Sequence, residues 1–243
     1  LLVLLLPESA RVACWLNAWL AGRHGADMVI DGVRGDQALV DFSGLEDEPL
    51  SPALLLGALR GLGVKQASVA LPVPGDPTGL GGPAGFNAEA HDAGEAVLCH
   101  GPDLGLLPTT ISHTTRWTAS TAHAPAYMAD VSTADRELRD AVRIAANELA
   151  ALDVATWNPE VADGLLNLRS PASFSGPTTF ASASAAQTAA AAVRCRMIVA
   201  LATADEGGAL SARQAASRRQ LLASLDRAAR AAIVAACSSL DGR

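Results

Sequence analysis

Residues 26–43, ADMVIDGVRGDQALVDFS, decide how the front of this 243-residue chain is read. Met28–Val33 and Ala38–Phe42 are apolar runs on either side of Arg34-Gly35-Asp36. Two such runs about a Gly-containing turn predict a β-hairpin. Gly35 supplies a positive φ and Asp36 supports the bend. The tripeptide also has the letters of an adhesion motif, but a turn accounts for all three residues.

Working outward, Leu1–Leu6 is a continuous apolar run ending at Pro7, the pattern of a buried strand. Val12, Trp15, Leu16, Trp19 and Leu20 fall on one face of a helix, closed by Gly22 and Gly25. On the other side, Ser51-Pro52 opens a second helix carrying Leu54, Leu55, Ala58, Leu59 and Leu62. Proline is favourable at a first helical position. Ala67–Val73 is another apolar strand. The order β-α-β-β-α-β predicts a ferredoxin-like α+β arrangement, with two helices on one face of an antiparallel sheet. The same string also reads as a βαβ unit with an inserted hairpin in a doubly wound sheet.

Residues 74–86, PGDPTGLGGPAGF, predict a loop. Asn87 then caps a short helical turn over Ala88–Ala93, Glu95–Cys99 is a short strand, and Leu106–Thr118 is one extended strand. These extra strands complete a sheet domain over residues 1–130. From residue 131 the pattern turns helical. Ser132-x-x-Asp135 resembles a capping box, followed by Leu138, Val142, Ala145, Leu149 and Leu152 on one stripe. A short helix is expected within Trp157–Leu168 and a loop over residues 170–179. An Ala-rich helix covers Ala181–Ala204, and Gly207-Gly208 breaks it. Ser211 caps a last helix whose stripe runs from Leu221 to Ala236. The last two helices form an αα-hairpin. Residues 131–243 thus read as a helical region whose Ala-rich helices either pack on the same core or mediate self-association.

Half of the residues are hydrophobic but only 4% are aromatic, so the core is built from Ala, Leu and Val. Lys65 is the only lysine among 18 basic residues, a compositional bias with no mechanistic content. The net charge of −7 is uneven: residues 1–130 carry 6 basic against 14 acidic residues, and residues 131–243 carry 12 against 11. An acidic front half repels a phosphate backbone, which argues against nucleic acid as a partner. Cys14, Cys99, Cys195 and Cys237 are widely spaced, with no C-x-x-C. They are expected to be reduced thiols in a cytoplasmic protein, although an even count also permits disulfides. The opening LLVLLL run is too short for a signal core or a bilayer span. Arg194 and Arg196 argue against a membrane role for the Ala-rich helix, since each charge costs ~2.5–3.5 kcal/mol at a span's centre.

Candidate chemistry concentrates in residues 75–113. Gly79, Gly81 and Gly82 follow a strand, where free amides could cradle an anion, yet Pro77 and Pro83 remove donors and no phosphate-loop spacing is present. His91, Asp92, Cys99 and His113 are the candidate catalytic residues. Glu89, His91, Glu95 and His100 are the candidate metal ligands, in spacings that match no established metal motif. Cys99 and His100 are neighbours on a strand and point to opposite faces, so they form no dyad by themselves. Arg136, Arg139 and Arg143 on one helix, and Arg213, Arg218, Arg219, Arg227 and Arg230 on the last, suggest either a nucleic-acid or acidic-partner surface or a solvated, ion-paired face, the latter favoured by the interleaved Asp135, Glu137 and Asp140.

Three functions follow, the third being a nucleic-acid binder that uses the C-terminal arginines. The first is a non-catalytic ligand-binding, regulatory or assembly protein that forms homo-oligomers through its C-terminal helices. The second is an enzyme acting on a small molecule, with a site between the Gly79–Gly82 loop and the His91/Asp92/His100/His113 group. No cofactor is identified by any motif.

Overall fold

A computed structural model describes residues 6–151, 179–204 and 212–240. They form a mixed α+β fold of five strands and seven helices. The helices are α1 (Glu8–Leu20), α2 (Ala26–Arg34), α3 (Pro52–Gly61), α4 (Ala84–Ala93), α5 (Val131–Ala151), α6 (Ala183–Ala204) and α7 (Ala212–Ser238). The strands are β1 (Leu39–Ser43), β2 (Gln66–Ala70), β3 (Ala96–His100), β4 (Leu104–Ile111) and β5 (Thr114–Thr121). They lie in the order β1-β5-β4-β3-β2, with β1 and β5 parallel and every other pair antiparallel.

The expected hairpin over residues 28–42 is half correct. Ala38–Phe42 contributes β1, but Met28–Val33 lies in helix α2. Val29 and Val33 are buried at i, i+4, a helical spacing, and Gly32 packs so closely on Trp15 that a Cβ there would overlap the indole ring. Gly35 does take a positive φ of 55°, but as the cap of α2, its N–H donating to Asp31 O. The ferredoxin-like order therefore does not form. Among the described residues up to 73 there are two strands, β1 and β2, at opposite edges of the sheet. The strand expected at Leu1–Leu6 lies outside the described residues except for Leu6.

A second difference is the strand expected over Leu106–Thr118. It is the hairpin β4–β5, turning at Ser112 and His113, with Ser112 at φ 57°. No glycine or Asn-Gly pair marks that turn. The helix expected after Asn87 starts earlier, at Ala84, and Asn87 accepts a bond from Gly82 N–H rather than capping.

One face of the sheet packs on α1, which is buried nearly all round: Ala10, Val12, Ala13, Leu16 and Ala18 are inaccessible to solvent. Val69, Val97, Leu106, Phe42 and Trp117 join the same core from the strands, with Phe42 and Trp117 stacked at 6.2 Å. The opposite face carries a smaller cluster of Ala70, Leu98, Leu107 and Ala122 under Phe86 and Ala90 of α4. Ser51 and Pro52 start α3 as the sequence suggests, with Ser51 Oγ accepting from Leu54 N–H at 3.5 Å.

The C-terminal helices share the main core through Leu138, Ala189, Leu225, Ala229 and Ile233. Asp130, not Ser132, caps α5: its carboxylate accepts from Thr133 N–H and from the Ser132 and Thr133 hydroxyls. Those bonds hold its pKa far below the ordinary range. The buried stripe of α5 is Ala134, Leu138 and Ala145, and Val142 stays 40% exposed. Helices α6 and α7 pack on one another as expected. The expected helix within 157–168, the Gly207-Gly208 break and the Ser211 cap lie outside the described residues.

Candidate functional site

The smaller face of the sheet holds most of the candidate chemistry. Its strand positions follow from the register: Ser68 pairs with Leu98, Leu98 with Gly105, and Gln66 with His100. Alternation then places His100, Leu98 and Ser68 on this face and Cys99 on the other, against α1. His100 Nε2 lies 2.8 Å from Ser68 Oγ. Burial lowers the pKa of His100, which favours the neutral ring, and which of the two atoms donates depends on the tautomer. Ser68 itself is wholly buried. The serine in this pair carries no sequence motif; only the two-residue alternation and the β2–β3 register reveal it.

Helix α4 and the Gly79–Gly82 loop cover that face. Leu80 packs into the small cluster beside Phe86. Gly79 and Gly81 are explained by this packing, and Gly82 by its φ of 109°. Gly79 has φ 89°, and a Cβ there would come within 2.4 Å of Val69 O. A Cβ on Gly81 would meet His123 O at 2.4 Å. The close backbone approach that suggested a ligand is an approach to the protein's own strands. Gly82 N–H is used by Asn87 Oδ1 at 3.1 Å, and Gly82 O accepts from His123 N–H at 2.8 Å.

His91 lies one turn beyond Asn87 on α4, partly buried, and its Nδ1 finds no hydrogen-bond partner among the described residues. Glu89 and Asp92 on the same helix are exposed. Glu95 points elsewhere: its carboxylate accepts from Ser9 N–H at 2.8 Å and Ser9 Oγ at 2.7 Å, at the start of α1. Burial raises its pKa against the lowering effect of those bonds. Cys99 is buried against α1, and burial pushes its thiol up to about 12, which disfavours the thiolate.

The proposed groupings are therefore not assembled. Among the described residues no three His, Cys, Asp or Glu side chains converge to hold a metal ion. Glu89 and His91 stand two residues apart on a helix, so they face different ways, while Glu95 serves α1 and His100 serves Ser68. His113 sits at the Ile111 end of β4, and His100 lies beside the Leu104 end. Seven residues of strand separate those ends, roughly 23 Å. The catalytic group His91, Asp92, Cys99 and His113 is thus split between two faces and two ends of one sheet.

The densest polar network lies elsewhere, where α7 meets the loop after β2. Arg230 is only 2% exposed and pairs with Asp76 at 2.7 Å and Asp226 at 2.8 Å. It also donates to Leu71 O at 2.7 Å and Thr78 Oγ1 at 3.1 Å. Arg227 adds a contact to Asp76 at 3.1 Å, and Arg196 of α6 one to Asp226 at 3.2 Å. Burial works to raise the Asp76 pKa, but the bonds from Arg230 and Thr78 and the two guanidinium charges hold it below the usual carboxylate range. Arg230 was expected on a solvated face. Its position one turn from Asp226 is the available signal, since an i, i+4 partner lets an arginine be buried. On α5, Arg139 pairs with Asp135 and Arg143 with Asp140, the solvated face the sequence suggests.

Residues 9–131 match the family model of the Rv1486c-like protein N-terminal domain, and residues 132–234 match that of its C-terminal domain. The chain belongs to the Rv1486c-like protein family. Two relatives from Mycobacterium tuberculosis, "Uncharacterized protein Rv1486c" of strain H37Rv and "Uncharacterized protein MT1533" of strain CDC 1551, are each 32% identical. Each alignment covers 41% of this chain and 43% of the relative, so the match spans less than half of the relatives' length. No solved structure matches the chain. Membership brings no activity, and function rests on the geometry above.

Proposed function

We propose that this protein is a non-catalytic assembly module that self-associates through its C-terminal helices. In this reading a cytoplasmic chain is organised as a sheet domain over 1–130 and a helical region over 131–243. One observation carries it. The stretch Ala183–Thr203 of α6 is long and apolar enough, by length and composition, to cross a membrane, yet it lies against α5 and α7. Only 44% of its most apolar window is buried in the fold. Arg194 and Arg196 within it favour a protein surface over lipid as the cover for the remainder. Val142 and Ile144 of α5 add apolar side chains that are 40% and 49% exposed. Sedimentation velocity at micromolar concentrations is expected to show a dimer or larger species. Val142→Glu with Ile144→Glu is expected to shift it toward monomer. A wild-type chain that stays monomeric across the accessible concentration range ends this reading.

A second reading, an enzyme or binder of a small molecule, is favoured by the Ser68–His100 pair and the unpartnered His91 Nδ1 on the same side of the sheet. A ligand-observed fragment screen tests it. Hits that shift the ring resonances of His91 and His100 together support it, and hits that move neither ring count against it.

A further inference from the structure

We propose that Cys14 and Cys237 are a latent disulfide site that can fasten the first helix of the chain to the last. Cys14 lies on α1 and Cys237 on α7, 223 residues apart in sequence. The Cys14 thiol lies 3.9 Å from the Cys237 carbonyl oxygen, and the two cysteines are only 2% and 1% exposed. The two helices pack on one another, and the alanines near the cysteines in sequence, Ala10 and Ala13 on one and Ala232 and Ala236 on the other, are all buried. Alanine at a crossing lets two backbones come close, and a disulfide needs Cα atoms about 4.4–6.8 Å apart. Asn17 holds the same point of α7 from α1, donating to Cys237 O at 3.2 Å. Two groups one turn apart on α1, the Cys14 thiol and the Asn17 amide, thus converge on one carbonyl of α7.

The electrostatics explain why the pair is reduced and inert in the closed fold. A hydrogen bond with Cys14, then burial, drives the Cys237 thiol well above its ordinary pKa. A protonated, buried thiol does not attack. Oxidation therefore requires α7 to part briefly from α1. The oxidant is a small-molecule disulfide. One cysteine thiolate attacks it and releases a first thiolate, forming a mixed disulfide. The other cysteine thiolate attacks the mixed disulfide and releases a second. The protein loses two protons and two electrons, one sulfur–sulfur bond breaks, and one forms. The product closes nearly the whole chain into a loop, the case in which the cross-link most restricts the unfolded state.

The test incubates the full-length wild-type chain with glutathione disulfide, with and without sub-denaturing urea, and maps the products by non-reducing peptide mass spectrometry. The expected product is a peptide pair linked through Cys14 and Cys237, with loss of two of the four thiols. It should form faster in urea and raise the thermal midpoint by about 5 °C or more, reversibly on reduction. A Cys195→Ser variant is expected to form the same link, because Cys195 lies on α6 and takes no part in it. Links that join Cys99 or Cys195 overturn the proposal. So do glutathione adducts confined to Cys195, or four intact thiols even in urea.

Discussion

The sheet has two edges, closed by different means. At the β1 edge the closure is main chain: Phe42 N–H donates to Leu50 O at 2.9 Å and Leu50 N–H to Phe42 O at 2.7 Å. Leu50 comes from the loop that directly follows β1. At the β2 edge the closure is largely by side chains from distant helices. Asn17 of α1 accepts from Ala67 N–H and donates to Ala67 O, each at 2.8 Å, as a neighbouring strand would. Ser238 Oγ of α7 accepts from Val69 N–H at 3.0 Å. Leu71 N–H goes to Thr78 O, and Leu71 O takes the Arg230 guanidinium. An open strand edge invites pairing with another chain, and here the edge also clasps the C-terminal helices to the sheet. Main-chain closure survives most substitutions. Side-chain closure does not, so the β2 edge is where single changes should be felt.

Arg230 gives the largest expected effect. Arg230→Leu removes the buried cation shared by Asp76 and Asp226, leaving them only the more exposed Arg227 and Arg196, and leaves Leu71 O without its donor. Breaking a buried ion pair from one side costs ~3–5 kcal/mol, read as a lower urea midpoint. Arg230→Lys should recover only part of the loss, because an ammonium cannot span Asp76, Asp226 and Leu71 O from one planar group.

Asn17 comes next. Asn17→Ala leaves the buried N–H and C=O of Ala67 unpaired, for a cost of about 2–4 kcal/mol in the same measurement. Asn17→Asp should not rescue it, since a carboxylate keeps the bond from Ala67 N–H but opposes Ala67 O.

How much of this was legible in the sequence divides along the same line. Features set by local pattern were readable: the stripe of α1, the Ser51-Pro52 start of α3, the Ala-rich α6 and α7. Residues 28–33 were not, because a short apolar run fits either period and only Trp15, packed on Gly32, decides it. Asn17 was unreadable for a different reason. A polar residue on a helix gives no sign that it completes a strand 50 residues away. The candidate site was blurred in the same way: Gly79 and Gly81 suggest close approach to a ligand, and what lies against them is the protein's own backbone.

Acidity separates contributions of opposite sign. Asp76 is depressed below its ordinary 3.8, so its stabilisation is present above that value and is lost as pH falls through the folded pKa. Glu95 is raised above its ordinary 4.5, so its contribution is complete below that value and is lost as pH rises through the folded pKa. Stability measured from neutral pH downward is expected to rise slightly as Glu95 takes up a proton, then fall as Asp76 does. Glu95→Gln, which still accepts from Ser9, should remove the rise and keep the fall.

The smallest effects bear most directly on the comparison of edges. Ser238→Ala deletes one bond to Val69 N–H and should cost about 1 kcal/mol. Its signature is local: hydrogen exchange at Val69 should quicken more than at Val97, its partner across the ladder. Arg116→Ala, near the β1 edge, removes a two-point contact to Asp41 at 2.7 and 2.8 Å, yet Arg116 is 56% exposed. Water replaces the lost partner, and no shift in the urea midpoint is expected. If Arg116→Ala proved as damaging as Ser238→Ala, sealing by side chains would be a property of the whole sheet. The β2 edge would then lose its standing as the particular clasp between sheet and C-terminal helices.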